Sequence, residues 1–188
     1  MPFFTHSKAK TALLVIDMQD KVFASVDRGP ETLHTSLKVI KGFQTLSLPI
    51  FISEQYPQGL GSTILPLKTV LGDEYRPWIK TSFSCMRNEP FHLYVSNSSI
   101  EQWVLIGIEA HICVLQTAKD LLQAGKKVTI LNDAIASRSI FDYSTAIAEM
   151  RDAGARISSC ETVLFELLQD AKAPEFKAIS QLVKSAPC

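Results

Sequence analysis

The stretch that most constrains this chain runs from Trp103 to Gly125, WVLIGIEAHICVLQTAKDLLQAG, because its periodicity changes within a few residues. Trp103 to Ile108 is a short apolar run rich in branched residues, the pattern of a strand buried on both faces of a parallel sheet. Gly107 punctuates its end. From about Ala110 the positions Val114, Ala118, Leu121 and Leu122 recur at helical spacing, and Gly125 stands where a C′ glycine would end a helix. A strand thus hands over to a helix at a tight turn, and Cys113 falls in that helix's first turn. There the unpaired backbone N–H groups and the positive end of the helix dipole are expected to favour a thiolate, which marks Cys113 as a candidate nucleophile.

The rest of the chain repeats the alternation. Thr11 to Ile16 is a second buried-strand run, and it stops at Asp17, a carboxylate at the sheet edge where α/β folds bind ligands. Standing alone, Asp17 would read as a cap. Leu33, Leu37, Ile40, Phe43 and Leu46 define an amphipathic helix over 31–46, stopped by Pro49 and followed by a strand from Ile50 to Ser53. EQYPQGLG, from Glu54 to Gly61, reads as a loop, with a short helix somewhere in 62–70. Trp78 and Ile79 lead into Lys80, ordinarily a surface residue at a strand end. If its strand lies next to the first one, Lys80 enters the same crevice as Asp17.

Beyond Lys80, Phe91 to Val95 belong to a short helix and Ser96 to Ser99 to a turn. Past Gly125, Lys127 to Leu131 is a strand ending at Asn132 and Asp133, and Asp142 is placed to cap a helix through Met150 closed by Gly154. Arg156 to Ser158 is a last strand, Ser158 with Glu161 fits a capping box for a helix to Leu168, and Pro174 opens a terminal helix. This order predicts a three-layer α/β/α fold with a mostly parallel, roughly six-stranded Rossmann-like sheet, one domain over 1–188.

Several function classes fall away. Positive and negative residues balance at 19 each without clustering, which removes the electrostatic footprint for nucleic acid or anionic membrane and leaves a small-molecule substrate or another copy of the chain as partner. No apolar run reaches a membrane span, and TALLVI is too short for a secretory core, so a cytoplasmic location is expected. The first ten residues lack acidic groups but also lack Arg, leaving a mitochondrial location open. The four cysteines Cys85, Cys113, Cys160 and Cys188 have neither CxxC nor Cys/His spacing and are expected as free thiols. No GxGxxG or P-loop follows a strand, so no nucleotide cofactor is expected.

The motifs LLVIDMQDKVF (13–23), WIKTSFS (78–84), LIGIEAHICVLQTAKDLLQAG (105–125) and LNDAIAS (131–137), in this order, resemble the isochorismatase-like cysteine hydrolase family over nearly the whole chain. The resemblance implies a catalytic triad of Asp17, Lys80 and Cys113, a non-proline cis peptide at Ile108–Glu109, and an oxyanion hole from the backbone N–H groups of Glu109 and Cys113. The chemistry is coherent by itself: an ammonium stabilises a thiolate, and a carboxylate takes the thiol proton and returns it to a leaving amine. The chain departs from the nicotinamidases of that family, which carry an Asp and two His as metal ligands after the second strand; here EQYPQGLG has no histidine, so no metal is expected. That loop resembles instead the isochorismatase domain-containing subgroup. Breaking the vinyl ether of isochorismate has no evident need of a thiol, so the cysteine directs the reading toward C–N cleavage. The family also implies a homo-oligomer.

Gln19, Phe23, Tyr56, Phe83 and Ile108 are candidate pocket residues, with core packing as the alternative for the aromatic ones and for Trp78. His111 is a competing base for Cys113, although a structural histidine in a first turn is the commoner arrangement. Two readings compete with a hydrolase: a catalytically quiet oligomeric scaffold, and a redox-responsive thiol protein in which Cys85 or Cys160 approaches Cys113.

Overall fold

In a computed structural model that describes residues 4–185, the alternation becomes six parallel strands in the order β3-β2-β1-β4-β5-β6. In chain order the elements are β1 (Thr11–Ile16), the single turn α1 (Asp20–Phe23), α2 (Gly29–Thr45), β2 (Ile50–Gln55), α3 (Pro57–Leu60), α4 (Leu65–Leu71), β3 (Trp78–Lys80) and α5 (Glu89–Asn97). There follow β4 (Gln102–Ile108), a π turn (Ala110–Val114) running into α6 (Leu115–Gln123), β5 (Lys127–Ala136), α7 (Ile140–Asp152), β6 (Arg156–Ser158), α8 (Cys160–Leu168) and α9 (Phe176–Lys184). Cys188 lies outside the described residues.

Alternate side chains of the central strands enter opposite layers. Leu13, Val15, Val104 and Ile106 pack under α2, α4, α8 and α9, while Ala12, Leu14, Trp103 and Leu105 pack under α5, α6 and α7. Both faces are covered, which is why these strands read as unbroken apolar runs rather than alternating ones. Gly107 does more than end a strand. It sits at φ +124° opposite Ile16, and a Cβ there would lie 2.1 Å from the Ile16 carbonyl oxygen. Only glycine lets β4 approach β1 this closely, beside the point where β1 ends at Asp17.

Several local expectations are corrected. The condition set for Lys80, a strand next to β1, is not met: β3 pairs with β2 at the sheet edge, with Lys80 opposite Gln55. Glu54 and Gln55 continue β2 instead of starting a loop. β5 runs on past Leu131 to Ala136 because its ladder with β4 shifts register, leaving Asn132 and Asp133 exposed while the strand resumes. Ser139, not Asp142, caps α7, its hydroxyl accepting from the Phe141 and Asp142 N–H groups. Ser158 stays in β6; the N-terminus of α8 is held instead by the Asp133 carboxylate, which accepts from the Cys160 N–H at 3.0 Å.

The N-terminal segment is stapled across the sheet's far half. The His6 N–H donates to Glu166 at 2.6 Å, Glu166 pairs with Arg156, and the buried His6 ring contacts the Thr129 hydroxyl at 3.0 Å. Burial lowers the imidazole to about 4, with Glu166 opposing and Arg156 reinforcing the shift. An unfolded histidine, near 6.5, therefore takes up its proton first, and stability present at neutral pH is lost as pH falls from 6.5 toward 4. Between pH 7 and pH 5 urea unfolding should show a loss of about 2 kcal/mol from this residue. His6→Gln should flatten that slope; an equally steep loss in the variant would contradict the assignment.

Candidate active site

Asp17 leaves β1 in the left-handed region at φ 50°, tied by its N–H to the Ser53 carbonyl at 3.2 Å. Its two carboxylate oxygens have different partners. Oδ1 accepts from the Ser53 hydroxyl at 2.7 Å, and Oδ2 accepts from Lys80 Nζ at 2.6 Å. Lys80 starts from the sheet edge and crosses the carboxyl end of β2, where Gln55 Oε1 (2.8 Å), Phe83 O (3.0 Å) and Ser82 O (3.2 Å) also surround its ammonium. The lysine and aspartate side chains are only 1% and 3% exposed. Burial alone would lower the lysine's pKa, but the charge of Asp17 opposes it, and the ammonium is held above its ordinary value.

Cys113 completes the arrangement from the π turn, in which the Val114 and Leu115 N–H groups bond five residues back to Glu109 and Ala110. The cysteine is 7% exposed and faces Asp17. Its pKa corrects the expectation of a ready-made thiolate. Burial pushes the thiol up, the Asp17 charge and hydrogen bond push it further, and Lys80 only partly opposes them. Desolvation defeats the ammonium and the helix end because the sulfur is enclosed. The geometry thus sets a thiol beside a carboxylate.

A cavity of about 290 Å³ opens onto Asp17, Cys113 and Glu109. Its walls are largely apolar, with Leu60, Phe83, Ile108 and Ile112 prominent. The Ile108–Glu109 peptide at its edge is cis. Phe83 and Ile108 therefore stand where expected, but three other candidates do not line the cavity. Gln19 is buried as a brace, its amide clasping the Gln55 N–H and carbonyl and the Gly61 carbonyl. Phe23 turns toward the α2 layer and against Gly29, because a one-turn helix carries residue 23 away from the side on which Lys21, Val22 and Ser25 meet the cavity. Tyr56 is 52% exposed at φ 37°, its ring over Gly59. Trp78 packs with Phe91 and Tyr94 instead.

His111 points away from the sulfur, its ring against the Ser137 hydroxyl at 3.0 Å and 3.9 Å from Asp142. Cys85, expected from the sequence as a free thiol, lies behind the site, its sulfur 3.4 Å from the Ser53 hydroxyl that holds Asp17. Burial pushes it up to about 11. Cys160 is remote, on α8, and pushed up to about 12, first by burial and then by Asp133. Sequence reasoning missed Lys21 and Arg138 at the cavity; the spacing of Lys21 and Ser25, four residues apart at a helical turn, was the available signal for the first. Among the described residues no three His, Cys, Asp or Glu side chains are grouped to hold a metal ion, and no helix is long and apolar enough to cross a membrane.

A family model described as Isochorismatase domain matches residues 11–162. The chain is 37% identical over 174 residues to isochorismatase domain-containing protein 2 of Homo sapiens, covering 93% of this chain and 83% of that protein. A solved structure described as MAR1 ribonuclease from Caenorhabditis elegans is 34% identical and superimposes with a TM-score of 0.90, over 98% of this chain and 95% of that one. The YcaC protein of Escherichia coli, described as an octameric hydrolase of unknown specificity, shares the fold with a TM-score of 0.89 at 20% identity, over 97% and 90% of the two chains.

The Asp17 charge has a measurable effect on the sulfur. Asp17→Asn is nearly isosteric and tolerates the left-handed backbone, yet leaves Lys80 facing Cys113 with no anion between them. The pH profile of Cys113 alkylation by iodoacetamide, followed by peptide mass spectrometry, should move to lower pH in the variant. A profile unchanged or moved upward would contradict the geometry.

Proposed function

The chain belongs to the isochorismatase family, and from that premise we propose that it is a metal-independent cysteine hydrolase that cleaves the C–N bond of a small amide or carbamoyl compound. The observation that carries this reading is the placement of one buried carboxylate against both an ammonium and a thiol at the floor of a cavity. Asp17 takes the thiol proton as the sulfur attacks the carbonyl carbon, and the oxyanion is received by the N–H groups of Glu109 and Cys113. Asp17 then gives that proton to the leaving nitrogen, the C–N bond breaks, and a thioester remains on Cys113. Water enters, its oxygen bonds to the thioester carbonyl carbon as Asp17 takes its proton, the C–S bond breaks, and Asp17 returns the proton to sulfur, so the acid leaves with the thiol restored. Lys80 holds the Asp17 carboxylate in place between these steps and offsets the charge on sulfur.

The donor set supports the absence of a metal: Glu54, next to last in β2, is already engaged by the Thr63 N–H, the Thr63 hydroxyl and Tyr75. The name of the C. elegans neighbour raises ribonuclease activity, but a neutral chain with a cavity of about 290 Å³ fits a small substrate better than a polyanion. A cytoplasmic homo-oligomer completes the reading. Exposed Leu65, Ile140 and Phe141 are surface that a second copy would cover.

The test is a panel of primary amides, carbamates and ureido acids, scored for ammonia release and for a thioester by intact mass. Wild type is expected to turn over at least one compound and Cys113→Ala to lose about three orders of magnitude or more. Undiminished turnover in that variant would overturn the reading, and so would reversible sulfenic acid chemistry as the sole reactivity of Cys113.

A further inference from the structure

The carboxylate of Glu109 has one oxygen doubly engaged and one without a hydrogen-bond partner. Oε1 accepts from both the Arg138 N–H and Arg138 Nε, each at 3.0 Å, while among the described residues no donor reaches Oε2. The side chain is only 7% exposed, yet Oε2 retains contact with solvent. The space it opens to is the cavity, which Glu109 lines together with Asp17 and Cys113. The residue is also held from both ends. Arg138 fixes the carboxylate, and the Glu109 carbonyl accepts the Ile112 and Val114 N–H groups at 3.1 and 3.3 Å. A buried, immobilised acceptor on a largely apolar cavity calls for a donor from the ligand, because excluding water without one leaves that oxygen unpaired.

The surrounding charges decide which donor fits. Asp17 is paired with Lys80 and Glu109 with Arg138, and Lys21 adds a positive charge to the same walls. A cationic amine would meet that surplus, so a neutral N–H suits the position better. Building on the hydrolase reading, in which the Glu109 N–H receives the carbonyl oxygen, we propose that Glu109 is the specificity-determining residue for a carbamoyl group. Its backbone N–H takes the C=O, and its Oε2 accepts an N–H of the scissile nitrogen. The substrate class is then a primary amide or a terminal ureido compound. Esters and ketones of the same shape are discriminated against because they leave Oε2 desolvated and unpaired.

The experiment measures binding to Cys113→Ala, which removes the nucleophile, so it does not depend on turnover. The probes are butyramide and methyl propyl ketone, alike in shape and differing only in NH2 or CH3 beside the carbonyl. Both are titrated by ligand-observed NMR on Cys113→Ala with and without Glu109→Gln. Butyramide should bind Cys113→Ala about tenfold more tightly than the ketone. In Glu109→Gln the two Arg138 donors still select the amide oxygen, so an NH2 group replaces the free acceptor. The preference should then vanish, while the ketone binds within about twofold of its former affinity. Equal affinity for the two probes in Cys113→Ala, or no detectable binding of butyramide, would overturn the proposal whether or not the double variant folds. A preference that survives Glu109→Gln would overturn it too. Hydrolysis assays with Cys113 intact separate the two readings. An amide preference without hydrolysis of any amide keeps the carbamoyl site and refutes the hydrolase; Cys113-dependent hydrolysis with equal binding of amide and ketone does the reverse.

Discussion

The buried ion pair between Lys80 and Asp17 is the interaction on which the rest of the site depends. Two charges almost sealed from water are tolerable only if each is fully hydrogen-bonded, because their mutual attraction alone does not repay desolvation. The surrounding chain meets that condition on both sides. The Ser53 hydroxyl takes one carboxylate oxygen, while Gln55 and the carbonyls of Ser82 and Phe83 gather round the ammonium. Gln19 in turn clasps the backbone of Gln55, and Gly107 lets β4 close against β1 beside Asp17. Ser53, Gln19 and Gly107, none of which lines the cavity, thus help to hold the two charges in register.

That pair also decides the state of the sulfur. A thiol enclosed beside an ionised carboxylate is poorly acidic, so the enzyme would not present a standing thiolate to solvent. Cys85 sits one hydroxyl behind Asp17 with its own proton held firmly, which keeps a second thiol close to the site without making it a second nucleophile.

Much of this was legible because Asp17 directly follows an apolar strand run, Lys80 ends one and Cys113 stands in the turn after another, and in an open α/β sheet such positions share one edge. The parallel, doubly covered sheet was legible for the same reason. Lateral strand order was not: nothing in Trp78–Lys80 says that it pairs with β2, and the long lysine side chain hides the difference by spanning the extra strand. The register shift that prolongs β5 is a backbone event with no residue signature beyond exposed Asn132 and Asp133. Cavity walls were half legible. Phe83 and Ile108 adjoin motif residues on extended segments, whereas Gln19, Phe23 and Tyr56 depend on a one-turn helix and a left-handed residue that sequence periodicity does not resolve.

The most direct measurement of the central claim is a double-mutant cycle on unfolding free energy with Asp17→Asn, Lys80→Met and the pair together. Removing either charge alone leaves the other buried without its partner and should cost about 3 kcal/mol, while the double variant should cost less than the sum by about 2 kcal/mol or more. Additive costs within about 0.5 kcal/mol would mean that the two side chains are not energetically coupled, and would contradict the account of the site built on them.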